Sequence, residues 1–133
     1  LIEIEQAVCD WLTAEVPDLK FALDHEPQSL PRMPGTTLLA TMYNPVQAET
    51  GIGEDVTYAW RMRLYVPLND YRQAQAQIKE LMPQILACIR NHPTGDGLVD
   101  FLSLVDEGQA PDFNIEEGWL AKDALLRAVR DET

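Results

Sequence analysis

Hydrophobic and polar positions alternate most regularly between residues 55 and 67. Val56, Tyr58, Trp60, Met62, Leu64 and Val66 fall on one parity; Thr57, Ala59, Arg61, Arg63 and Tyr65 fall on the other. Six apolar residues in strict period two specify a strand with one face on a core. At ~3.3 Å per residue this strand would span roughly 40 Å. Small domains are thinner than that, so part of the strand should project or carry a bulge. The apolar, β-prone stretch 37–43 pairs with it as a long hairpin, whose tip is the loop 44–54.

Elsewhere the apolar period is helical. Ile4, Val8, Trp11 and Leu12 make residues 2–15 an amphipathic helix. Pro17 ends it, because proline lacks an N–H and restricts the residue before it. Asp70 opens a second helix over 71–90, with Gln73 at the capping-box position. Ala74, Ile78, Leu81, Ile85, Cys88 and Ile89 form its buried stripe. Pro83 lies inside that helix and predicts a kink or a split.

Shorter segments complete the pattern. Leu19, Phe21 and Leu23 alternate as a half-buried strand over 19–24, and Pro27, Pro31 and Pro34 make 25–36 an extended connector. A turn at 91–97 precedes β character at 98–106, and 107–117 is an acidic loop. Residues 118–130 fit two descriptions. Trp119, Leu120, Ala124 and Leu125 form a helical face, which the Ala, Leu and Arg content favours. Alternatively, Trp119, Ala121, Leu125 and Val129 line one face of a strand, interrupted by Asp123 and Arg127. The expected architecture is one α+β domain over residues 1–133. Its order is α-β-β-β-α-β-β, with two helices packed on a mixed or antiparallel sheet and a long β-hairpin.

Charge changes the picture of partners. The 133 residues carry 22 acids and 10 bases, a formal net charge of −12. Affinity for a phosphate backbone or an anionic membrane comes from clustered Lys and Arg, so both partners are excluded. The acidity is uneven. Residues 1–60 hold ten acids and two bases, 61–97 three acids and five bases, and 98–133 nine acids and three bases. No apolar run reaches the ~18 residues of a spanning helix. The acidic start Leu1-Ile2-Glu3-Ile4-Glu5 lacks the basic opening of a signal peptide, giving the expectation of a cytosolic protein.

Few residues of the chain carry a chemical signature. His25 and His92 sit beside prolines in predicted loops, outside any metal-ligand spacing, and read as solvated. Cys9 and Cys88 lie on helical stripes and read as small buried hydrophobes. Gly51-Ile52-Gly53 and Gly95-Asp96-Gly97 match no phosphate-binding loop. The acidic pairs Asp106-Glu107 and Glu116-Glu117 lack calcium-loop spacing. No constellation proposes a reaction, so the expectation is a non-enzyme without metal or cofactor. Arg61 and Arg63 alternate on the outer face of the long strand. They read either as edge-protecting charge or as a contact to the acidic flank of a neighbouring subunit.

The order of elements resembles the phage tail terminator (tail completion) and tail-to-head joining proteins. The resemblance rests on the connector from Pro31 to Pro34, the strand motif Arg63-Leu64-Tyr65-Val66, the helix 71–90, the turn from Pro93 to Gly97, and Trp119 near a terminal strand. It covers nearly the whole chain. Pro83 within the helix and the helical propensity of 118–130 depart from the pattern. The resemblance implies a structural virion protein that forms a homohexameric ring on the head-proximal end of the tail tube. Such a ring stops tube polymerisation and presents the joint to the head.

Its partners would be further copies of itself, the tail tube protein and a head-connector or neck protein. DNA would pass through without specific binding, and no membrane is involved. The virion tail or neck is the implied location, after assembly in the bacterial cytoplasm. On this reading Arg61, Arg63, Val46, Ile52 and Glu54 are candidate subunit or tube contacts. Asp106, Glu107, Asp112, Glu116 and Glu117 are candidates for an acidic lumen or rim. Two alternatives accompany it: a head-closure or neck protein, and an acidic cytosolic inhibitor or immunity-type protein that covers a basic partner.

Overall fold

The computed structural model describes residues 2–47 and 54–131. Helix α1 (Ile2–Glu15) leads through β1 (Phe21–Leu23) to β2 (Gly35–Gln47) and β3 (Glu54–Pro67). Helix α2 (Tyr71–Arg90) follows, then a 3₁₀ turn at Gly95–Gly97, and strands β4 (Phe101–Val105), β5 (Asp112–Asn114) and β6 (Trp119–Asp131). The strands form one mixed sheet in the order β1-β2-β3-β6-β4, with β5 also on β6. The architecture is the expected single α+β domain, with β5 as an extra short strand inside the anticipated acidic loop.

β3 is the centre of the sheet. It pairs antiparallel with β2 from Gly35↔Tyr65 to Gln47↔Glu54, and with β6 from Asp55↔Asp131 to Pro67↔Trp119. Its alternation is the one expected: Val56, Trp60, Met62, Leu64 and Val66 are buried towards the helices and Tyr58 packs against that core. The bulge lies in the partner strand. The β2 register slips between Ala40 and Met42, and the Thr41 hydroxyl donates to the Ala59 carbonyl at 3.2 Å. Thr41 is left out of the ladder there, and the extra residue increases the local twist of the long hairpin.

The opposite face of β3 is less polar than its sequence suggests. Ala59 and Tyr65 are only 2% and 6% exposed. Tyr65 joins Trp119 and Ala121 in a second small cluster, which Leu30 and Met33 of the proline-rich connector cover. The connector enters β2 through a cis Met33–Pro34 bond. At Gly35 a Cβ would lie 2.3 Å from the Phe21 ring, so only glycine lets β1 lie parallel against β2 there.

The helices cover the other face. Ile4, Val8 and Leu12 of α1 are almost fully buried. α2 starts where expected: the Asp70 carboxylate accepts the Arg72 N–H at 2.9 Å, satisfying one donor that the first turn leaves free. Ala74, Ile78, Leu81, Met82, Ile85, Cys88 and Ile89 form its buried face. Each fully buried Leu or Ile here contributes about 1.5–3 kcal/mol. Pro83 does not split the helix, which runs unbroken from Tyr71 to Arg90. The proline is exposed, and the Gln84 side chain donates to the Glu80 carbonyl at 3.2 Å, supporting the backbone beside it.

The undecided segment is a strand. β6 is held by β3 along its length and by β4 and β5 on its other side, so two-sided pairing overrides local helix propensity. Leu120, Ala124, Leu126 and Ala128 face the helices. The face anticipated from Trp119, Ala121, Leu125 and Val129 is the reverse side, buried at Trp119 and Ala121 and half-buried at the other two. β6 is therefore apolar on both faces, which hid its period of two.

Candidate functional site

Arg61 and Arg63 project from the reverse face of β3, and the structure pairs both within the chain. The Arg63 guanidinium makes a two-point contact with Asp123 of β6, Nε to Oδ1 at 2.7 Å and Nη2 to Oδ2 at 3.0 Å. Asp112 of β5 lies 3.6 Å from its Nη1. The guanidinium also sits 6.0 Å from the Tyr65 ring centroid and 5.9 Å from that of Trp119. Hydrogen bonding to Asp123 outweighs partial burial and holds Arg63 still more firmly protonated than a free arginine. Arg63 thus ties three strands to the small aromatic cluster.

Arg61 reaches the other way. Its Nη2 bonds the Glu26 carboxylate on the connector, while its buried Nε has no partner. Arg61 lines a small cavity of about 130 Å³ with Glu107, Gln109, Asp123, Ala124 and Leu125. The acidic partners of both arginines are therefore intramolecular. Val46 and Glu54 lie in paired strands, opposite Asp55 and Gln47; their side chains and the whole of Ile52 lie outside the described residues.

The acidic candidates fall into two groups. Asp106 lies 3.4 Å from the Lys122 ammonium, which also donates to the Gln109 carbonyl, and its carboxylate accepts the Gly108 N–H at 2.9 Å. Glu107 follows it at the small cavity. Asp112, Glu116 and Glu117 belong to the β5–β6 turn. Asn114 closes that turn by accepting the Gly118 N–H at 2.8 Å on its carbonyl and the Glu117 N–H at 3.0 Å on its side chain. Glu117 accepts the Trp119 indole N–H at 2.8 Å. Between the acids the turn presents Phe113 and Ile115, 54% and 77% exposed.

Two arrangements were not visible in the sequence. The first is at His92, which is not a merely solvated loop residue. Its Nε2 lies 2.6 Å from Glu15 at the end of α1 and its Nδ1 2.8 Å from Asp96, and its ring stacks on Trp11 at 3.9 Å and 2°. Asn91 donates to the same Glu15 carboxylate at 3.2 Å. Partial burial opposes a charge on His92, but the bonds to Asp96 and Glu15 prevail and raise its pKa above 6.5. The bond from His92, then that from Asn91, lowers Glu15 below 4.5. The four-residue spacing of His92 and Asp96 is the one sequence signal for this cluster. His25, by contrast, is exposed beside Asp24.

The second is a groove of about 430 Å³ between α2 and the β4–β5 loop, with Pro83 in its lining. Cys88 is a buried hydrophobe as expected, while Cys9 is only half-buried against the core; burial, then nearby carboxylates, pushes Cys9 up to about 12, and burial with Glu15 pushes Cys88 up to about 11. Among the described residues no group of three or more His, Cys, Asp or Glu is placed to hold a metal ion. No helix among them is long and apolar enough to cross a membrane.

Compared with protein-family models and with curated proteins, the sequence matches none.

Proposed function

We propose that this chain is a structural tail terminator protein. Six copies would close into a ring on the head-proximal end of a phage tail tube, stop its growth and form the joint to the head. The observation that carries this reading is the order and length of the elements: a helix, a proline-rich connector into a long hairpin, a 20-residue helix, a glycine turn, and a long strand opening on Trp119. Of the two departures from the resemblance one disappears in the fold, since 119–131 is a strand, while Pro83 stays within a continuous helix.

Surface chemistry supports an assembly role. Phe101 and Val105 of β4 are exposed on the face of the sheet turned away from the helices, and Phe113 of β5, with Ile115 just beyond it, is exposed on the other, so each face offers apolar side chains to a neighbour. A net charge of −12 per copy multiplies around a ring. An acidic wall repels phosphate, so DNA would slide past without being gripped.

The test is to add the purified chain to growing tail tubes and image them by electron microscopy. Tubes should stop at a defined length with a six-fold ring at one end. Binding to connector-bearing heads and not to tubes would move the protein to the neck. A chain that binds neither would overturn the proposal.

A further inference from the structure

The groove beside α2 is floored by Ile78, Met82, Pro83 and Leu86 of the helix and closed by Pro111 of the loop. On its rim Lys122 is neutralised by Asp106 at 3.4 Å. Lys79, exposed on α2, leaves the rim net positive in a chain whose net charge is −12. The groove thus offers an apolar floor and a positive rim.

The chain also carries a segment of the complementary chemistry. In the β5–β6 turn Phe113 and Ile115 are exposed, flanked by Asp112, Glu116 and Glu117. Ile115, at 77%, is the most exposed large hydrophobic side chain among the described residues. This turn is fixed on the edge of β6 by Asp112↔Ala121, Phe113↔Leu120 and Asn114↔Trp119, and is closed by the Gly118–Asn114 hydrogen bond. Folding it into its own groove would break that pairing, so an occupant of this kind has to come from another molecule.

We propose that the groove of one copy receives the Phe113–Ile115 turn of a second copy, with Glu116 of the incoming turn against Lys79. This names the subunit contact of the ring and rests on the ring reading above, though the two can fail separately. Repeated head to tail, such a contact closes a ring when its rotation permits.

The full chain is examined by sedimentation over a concentration series. The wild-type chain should associate. Phe113→Ser with Ile115→Ser should weaken association at least about thirtyfold, as for a buried interface anchor, with an unchanged Tm because both side chains are exposed. Lys79→Glu and Glu116→Lys should each weaken it several-fold, and the double exchange should restore it. Mixing Ile115→Cys chains with Leu86→Cys chains under oxidising conditions should yield mixed disulfide dimers.

Three results would overturn the contact: a wild-type chain monomeric at every concentration, association indifferent to the serine pair, or crosslinks only between like variants. All three leave the tail reading standing, because a ring can form on the tube as template or through another surface. A two-fold dimer lost in the serine variant would uphold the contact and overturn the ring.

Discussion

Deprotonating His92 should loosen the corner where α1 meets the end of α2. The ring is 16% exposed, stacked on Trp11, with a carboxylate at each nitrogen. An aromatic stack contributes about 0.5–1.5 kcal/mol. Exposed ion pairs contribute about 0.2–1 kcal/mol each, and the exposure of Asp96 (60%) and Glu15 (32%) keeps both at the lower end. His92→Gln should therefore cost about 1–2 kcal/mol, or roughly 4–8 °C in Tm for a domain of this size. Roughly a third of that cost is electrostatic and depends on pH.

The folded pKa of His92 lies above its unfolded value of 6.5, so between the two the native state binds more protons than the unfolded state. Stability from this group is then complete below pH 6.5 and is lost as pH rises through the folded pKa. The folded pKa of Glu15 lies below 4.5, so its share is present above pH 4.5 and is lost as pH falls through the folded value. The gap between wild type and His92→Gln should be widest between about pH 4.5 and 6.5 and narrow above it. Urea denaturation of both proteins across pH 4 to 9 reads this directly, and an NMR titration of the His92 ring reads the pKa itself. A gap that stays flat, or that widens with pH, would refute the argument.

Other expectations concern packing. Asp123→Ala should cost about 1.5–3 kcal/mol by removing the two-point partner of the half-buried Arg63, which keeps only Asp112 at 3.6 Å, while Arg63→Met with Asp123→Leu should recover much of that loss; chemical denaturation of the wild type and the two variants decides. Gly35→Ala should cost about 1–3 kcal/mol, since its Cβ meets the Phe21 ring at 2.3 Å, and Phe21→Ala should reduce that penalty in a double-mutant cycle. Pro83→Ala restores a helix hydrogen bond and should raise stability by about 1–3 kcal/mol.

What could be read in the sequence depended on the range of the interaction. The β3 alternation and the Asp70 cap of α2 are local, and both are in the structure as expected. β6 was undecided because its Ala, Leu and Arg residues speak for a helix, while the strands that override them lie up to 76 residues away, as in Asp55↔Asp131. Arg63 and Asp123 are 60 residues apart, and His92 and Glu15 77. No spacing rule reaches that far, so Arg63 was assigned to the outside and His92 to solvent. The bulge was anticipated from strand length, but only the register shows that β2 carries it. The exposed turn at Phe113 to Ile115 was hidden by its acidic neighbours, which made the segment resemble an ordinary solvated loop.

The position of β6 also sets a timetable. It follows the five other described strands in chain order, yet it lies between β3 on one side and β4 and β5 on the other. Among the described residues, β4 and β5 pair with no other strand. On the ribosome, where chains grow at about 5–20 residues per second, the hairpin and both helices emerge first and wait with an open edge. A nascent or truncated chain lacking this strand leaves the β5–β6 turn unformed, so it cannot display the Phe113–Ile115 knob. Quality control is thereby written into the order of synthesis: under the contact proposed above, only subunits that have added β6 could hold on to one another.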